Sequence, residues 1–283
     1  MDEPGFFKSK RIVIIGLGLM GGSLALALKD KIGWLGGVDR SELAIQNAAK
    51  LNIFDKLSQN MQDILQEANV IILAAPVRQS IKIMQQLGEY CSRPAIVMDL
   101  GSTKRRIGEA MQALPPHFDP IGGHPMCGSE KSSILYADSH LFERARFVIS
   151  PLKRTSPQAL AFAQAMVQAI QSRECILEAP RHDEITADIS HFPYLLSAAL
   201  CLSTPLESKL LISTGFKSTA RLAGSSNEMM MDIMSSNRDN VLNAMAAFKE
   251  QLGAFETALN NNDEESLREL MARAAFKYQQ LIN

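Results

Sequence analysis

Apolar residues follow two rhythms along this chain. In the first half, short unbroken apolar runs alternate with stretches in which apolar residues recur every three or four positions. Beyond Pro180 only the second rhythm remains. An unbroken run of four or five β-branched residues suits a parallel strand covered on both faces, and the spaced pattern suits an amphipathic helix. Residues 11–15 (Arg-Ile-Val-Ile-Ile), 36–38, 70–74 and 95–99 are therefore expected as strands, with helices at 19–29, 41–50, 77–87 and 103–113 between and after them. Ser41 stands where a helix N-cap is needed. Residues 118–121, 146–150 and 174–177 continue the strand pattern more weakly, and 157–171 reads as a helix. Strand and helix thus alternate for well over a hundred residues, the signature of βαβ units in a doubly wound sheet. Residues 183–202, 206–211, 227–234, 239–260 and 263–281 are all expected to be helical. The expected organisation is an α/β sheet domain over 1–179 followed by an all-helical domain over 180–283.

Composition narrows the class. Of the 283 residues, 46% are hydrophobic and 21% charged, which is ordinary for a globular protein. The formal charge of -1 gives no basic excess of the kind that nucleic-acid and membrane-surface proteins carry, so neither partner is expected. Cys91, Cys127, Cys175 and Cys201 are scattered and form no CxxC pair, which argues against a zinc site or a disulfide framework. No export signal is visible at the N-terminus, and a cytoplasmic protein is expected.

Gly16-Leu17-Gly18-Leu19-Met20-Gly21 matches G-x-G-x-x-G between an expected strand and an expected helix, the context in which this string means dinucleotide binding. Gly16 permits the tight turn, Gly18 lets a pyrophosphate reach the backbone, and Gly21 lets the helix approach the strand. The first-turn N–H groups, including those of Leu19 and Met20, would face the phosphates. Asp39 closes the next strand, where a carboxylate accepts ribose hydroxyls and repels a 2′-phosphate. NAD is therefore expected, with NADP left open by the neighbouring Arg40. Ala75 and Pro76 end another strand on the same edge, and the small side chains there would let a cofactor lie close.

The segment Gly122-Gly123-His124-Pro125-Met126-Cys127-Gly128-Ser129-Glu130-Lys131-Ser132 follows a strand and should lie over the nicotinamide. A neutral imidazole at His124 suits a general base. Ser102, in Asp99-Leu100-Gly101-Ser102-Thr103-Lys104 on the same edge, is expected to hydrogen-bond His124 and fix its tautomer.

With these landmarks, and with Ser190-His191-Phe192-Pro193 and residues 215–223, the chain resembles the prephenate/arogenate dehydrogenases of tyrosine biosynthesis. The Gly-Gly-His-Pro-Met-x-Gly-Ser-Glu-Lys string is the specific one. The resemblance implies an NAD-dependent oxidative decarboxylation of prephenate or arogenate, and a helical dimerisation domain that makes a homodimer. It assigns His124 as the catalytic histidine, Ser102 as its assistant and Arg221 as the ligand of a substrate carboxylate. Glu130 would stand near the substrate mouth and His191 would face the cleft. No metal is implied. The chain departs from the family pattern at Tyr194, where a second histidine is common, and at Ser218, Cys127 and residues 227–230. A β-hydroxyacid dehydrogenase would need a lysine on the interdomain helix, and none occurs there before Lys209. A non-catalytic NAD sensor would need no ordered His124 site. A monofunctional enzyme is expected.

Overall fold

The computed structural model describes residues 7–128, 131 and 133–282. Its centre is an eight-stranded sheet built from β1 (Arg11–Ile15), β2 (Trp34–Val38), β3 (Lys56–Ser58), β4 (Val70–Leu73), β5 (Ala95–Asp99), β6 (Phe118–Pro125), β7 (Arg146–Ser150) and β8 (Arg173–Ile176), in the order 3-2-1-4-5-6-7-8. The strands from β1 to β6 run parallel, and β7 and β8 run the other way. Val70, Ile71, Ile72 and Leu73 have no exposure, as a strand covered on both faces requires. Helices α1 (Leu19–Leu28), α2 (Glu42–Lys50), α3 (Val77–Tyr90), α4 (Arg105–Gln112) and α5 (Pro157–Ala169) supply that cover. Ser41 does cap α2, its Oγ accepting the Ala44 N–H at 3.3 Å.

The strand order reverses between β1 and β4. In open parallel sheets, such a switch opens a crevice at the carboxyl ends of the strands, and ligands bind there. Gly16, Ala74 and Asp99 all lie on that edge.

The first described unit runs to Asn237 and includes α6 (Ala179–Thr186), α7 (Phe192–Ser203), α8 (Thr214–Ala220) and α9 (Asn227–Ser236). The second, Arg238–Asn283, is a hairpin of α10 (Arg238–Asn260) and α11 (Glu264–Ile282), with Asp263 accepting the Ser266 N–H at the start of α11.

Several elements differ from the expectation. The strand β3 is only three residues long, too short to carry a pattern. Residues 206–211 form 3₁₀ turns in place of a helix, opening after Pro205. The single helix expected over 183–202 is two, joined through a wide π turn at Ala187–His191, where the Phe192 N–H reaches back to the Ala187 carbonyl. Pro193, which has no N–H to give, follows directly. Such an inserted residue often marks a functional site.

Candidate active site

The glycine loop is formed as its sequence requires. Gly16 has φ +100, and a Cβ there would stand 2.6 Å from the Ala74 carbonyl oxygen. Gly21 packs so closely that a Cβ would come 2.0 Å from the Gly16 oxygen. At α1, Gly18 is the N-cap, no side chain caps the helix and no acidic residue occupies its first turn. No described side chain thus competes with an anion at the amide groups from Leu19 to Gly21. Asp39 sits at the tip of β2 with Oδ2 accepting the Leu17 N–H at 2.8 Å and Oδ1 accepting the Ser41 N–H at 2.9 Å. A carboxylate has about four acceptor sites, so both oxygens keep capacity for a ribose hydroxyl. A cleft of about 240 Å³ opens here, lined by Leu17, Gly18, Asp39, Ser41, Asn47 and Ile134 among others. These residues fit a dinucleotide. Arg40 is exposed on the rim, and its carbonyl accepts the Gln59 amide. Ala75 is partly buried, and Pro76 leads into α3, whose Arg78 N–H is held by the Asp232 carboxylate of α9.

His124 stands on the same edge, near the end of β6. There β6 leaves its parallel pairing with β5 and pairs with the antiparallel β7, with His124 opposite Val148. The half-buried ring places Nδ1 2.8 Å from Nε2 of His182, and the Nδ1 of His182 lies 2.8 Å from Oδ1 of Asp183. The hydrogens follow from the acceptor at the end of the chain. The Asp183 carboxylate can only accept, so His182 carries its proton on Nδ1. Its Nε2 then accepts from the His124 Nδ1–H, which leaves the Nε2 lone pair of His124 free to take a proton.

Asp183 is itself fixed. Oδ1 accepts the Lys104 N–H at 2.7 Å and Oδ2 accepts the Arg105 N–H at 2.9 Å, so a carboxylate on α6 closes the amino end of α4. Burial would raise the Asp183 pKa, but the bonds from His182, Arg105 and Lys104 outweigh it and hold the group below its ordinary value. Beneath His124 lies a buried ion pair. Lys104 donates to Asp99 and to the Gly123 carbonyl, and Asp99 accepts the Gly123 and Gly101 N–H groups. Removing one member of such a pair typically costs about 3–5 kcal/mol. Burial, then the nearby His182, Lys104 and His191, push the His124 pKa well below 6.5, so the imidazole is neutral at physiological pH.

The expected bond from Ser102 to His124 does not form. Ser102 is half-buried and has no hydrogen bond among the described residues, and the Nδ1 of His124 is taken by His182. His191 is buried at 1% exposure, with Nδ1 accepting from the Asn237 amide at 3.1 Å. That amide also donates to the Asp183 carbonyl. Burial pushes the His191 pKa down to about 4. Arg221 is exposed on the short turn Arg221–Gly224, which is tied to α7 through the Ala223 N–H and the Ser197 hydroxyl at 2.9 Å. Its guanidinium pairs with no described residue. Glu130 lies outside the described residues. His182 and Asp183 went unnoticed in the sequence, although an adjacent His-Asp pair in the first turns after Pro180 was the available signal.

Two family models cover most of the chain: the prephenate dehydrogenase nucleotide-binding domain over residues 24–175 and the prephenate dehydrogenase dimerization domain over 178–273. The chain belongs to the prephenate dehydrogenase family. It is 32% identical over 267 residues to the prephenate dehydrogenase of Bacillus subtilis (strain 168), which spans 90% of this chain and 72% of that protein. The crystal structure of prephenate dehydrogenase from Aquifex aeolicus in complex with hydroxyphenyl propionate and NAD+ superposes with a TM-score of 0.87 at 27% identity, covering 96% of this chain and 98% of that one. Synechocystis arogenate dehydrogenase is similar at a TM-score of 0.83 and 28% identity, over 96% and 100% of the two chains. The chain is an NAD-dependent dehydrogenase, and this rules against the non-catalytic sensor.

Proposed function

We propose that the protein oxidises prephenate with NAD, releasing CO2 and 4-hydroxyphenylpyruvate in tyrosine biosynthesis. One observation carries the reading: the His124 Nε2 lone pair is freed by the bonds to His182 and Asp183, on a residue of the sheet edge that carries the glycine cradle. His124 takes the proton of the C4 hydroxyl as hydride departs from C4. The nicotinamide, when bound, accepts that hydride. Loss of the ring carboxylate as CO2 then leaves an aromatic ring, whose stability drives the reaction, so the protein chiefly orients and polarises. The positive charge gained by His124 is shared through His182 towards Asp183. Arg221, a guanidinium without a protein partner among the described residues, holds a substrate carboxylate by charge-assisted bonds. Ser102 contacts the reacting hydroxyl, and His191 supports the cleft from beneath.

In this reading the nucleotide half ends near residue 179, and two copies of the chain join through the helical half. Leu202, Leu206, Leu210 and Leu211 are each about 90% exposed in the single chain, apolar surface that a second copy would cover. The enzyme works in the cytoplasm on a small-molecule substrate, with no nucleic-acid or membrane partner.

The test is NADH absorbance with purified enzyme given NAD or NADP and either prephenate or arogenate. The expected result is turnover with NAD and prephenate at a kcat/KM about tenfold or more above that with arogenate. Preference for arogenate would move the assignment to direct formation of tyrosine. No NADH from either substrate would overturn it.

A further inference from the structure

Lys104 is a sealed charged side chain near the site, at 1% exposure, and it never reaches the surface of the cleft. In the structure its ammonium spans two strands, donating to Asp99 at the end of β5 and, at 2.5 Å, to the Gly123 carbonyl in β6. Gly123 immediately precedes His124, and Asp99 takes the Gly123 N–H as well. Both backbone groups of that residue are thus gripped by one ion pair. The close fit leaves no slack: a Cβ on Gly123 would stand 2.7 Å from the Asp99 carbonyl oxygen.

We infer that Lys104 is a positioning residue for the catalytic base, acting from beneath through Gly123 and through its fixed positive charge. This rests on His124 being the base. The charges support it. Among the described residues, the groups that face His124 are His182 with Asp183 from α6, His191 from the π turn, and Lys104 with Asp99 from the β5 edge. Among these described groups, two carboxylates and one ammonium sum to one net negative charge. The site therefore holds a proton on His124 without accumulating charge, while Lys104 prevents the second carboxylate from drawing that proton in beforehand. Lys104 disfavours the imidazolium, as does burial. Without Lys104, His124 would be protonated in the resting enzyme at a higher pH and unable to accept the substrate's proton.

The inference is distinct from a role for the residue's backbone. The Lys104 N–H holds Asp183 whatever the side chain is, so a side-chain substitution leaves the relay's carboxylate in place. The experiment is the pH dependence of kcat/KM in the wild-type enzyme, in K104M and in the D99N/K104M double variant. The double variant removes both charges and leaves no unpaired buried carboxylate if K104M alone does not fold. In K104M, which keeps the Asp99 carboxylate, the acid limb is expected to move up by about one pH unit, since loss of a close charge is worth that much; in D99N/K104M, where the two charges leave together, the limb should stay near its wild-type position while kcat falls about tenfold because Gly123 is no longer held. The loss in K104M should be about tenfold greater below the wild-type acid limb than on the alkaline plateau, with NAD affinity within about twofold of wild type. Wild-type kcat in D99N/K104M, or wild-type turnover with an unmoved acid limb in K104M, would overturn the role of Lys104 while leaving His124 as the base. Absence of turnover in the wild type would instead remove the reading on which it rests.

Discussion

The Nδ1 of His124, on the last turn of sheet before the cleft, and the Nε2 of His182, on the first helix past the sheet, stand 2.8 Å apart. This contact decides which nitrogen of His124 is basic. An imidazole with an oriented acceptor at Nδ1, and with no described residue bonded to Nε2, is set to accept a proton at Nε2. Asp183 fixes the orientation of that partner by accepting its Nδ1–H.

Replacement of His124 by Asn should remove proton transfer and little else. A general base contributes about 10²–10⁴ in rate, so kcat should fall by that order. NAD affinity, set at the glycine loop and Asp39, should be unchanged in a fluorescence titration. Near-normal turnover would reject His124 as the base.

His182 acts on substrate only through His124. His182→Phe keeps an aromatic ring but offers no acceptor to the Nδ1–H, so His124 can adopt the other tautomer. A fall in kcat of about 10–100-fold is expected, by analogy with losses on removing an orienting partner. KM should stay within about threefold. A variant with wild-type kcat would show that the relay orients nothing.

Arg221 tests the substrate side. Arg221→Ala should raise the KM for prephenate by about 10–100-fold, the value of one charge-assisted contact of about 1.5–3 kcal/mol. Its guanidinium has no described partner to leave unpaired, so thermal stability should not drop. An unchanged KM would take Arg221 out of the pocket.

The buried histidines make stability depend on pH. His191 falls from 6.5 to about 4 on folding because burial disfavours its charged form. The unfolded chain therefore binds more protons between those values, and stability rises with pH through the window. The contribution is complete above pH 6.5 and is lost as pH falls towards 4, up to about 3 kcal/mol at the low end. Urea melts at pH 7, 5.5 and 4.5 should show the decline, and H191N should flatten it. Equal acid sensitivity in the variant would assign the loss to other groups.

The sequence alone determined the alternation of strands and helices, the glycine cradle, the placement of Asp39, and the delivery of His124 to the carboxyl edge. Each is written in neighbouring residues: a strand's unbroken apolar run, a glycine where a Cβ would strike a carbonyl, a polar loop after a strand. The tertiary structure decided what His124 touches. His182 lies 58 residues away on another element, and Ser102, which topology put on the same edge, lost the contact to it. Only packing buried Lys104 beneath the base and turned His191 inward to Asn237. Local pattern fixes backbone conformation because that depends on near neighbours. Hydrogen-bond partners and the charge state of a buried group depend on which distant residues fill the remaining space and exclude water, and folding settles that.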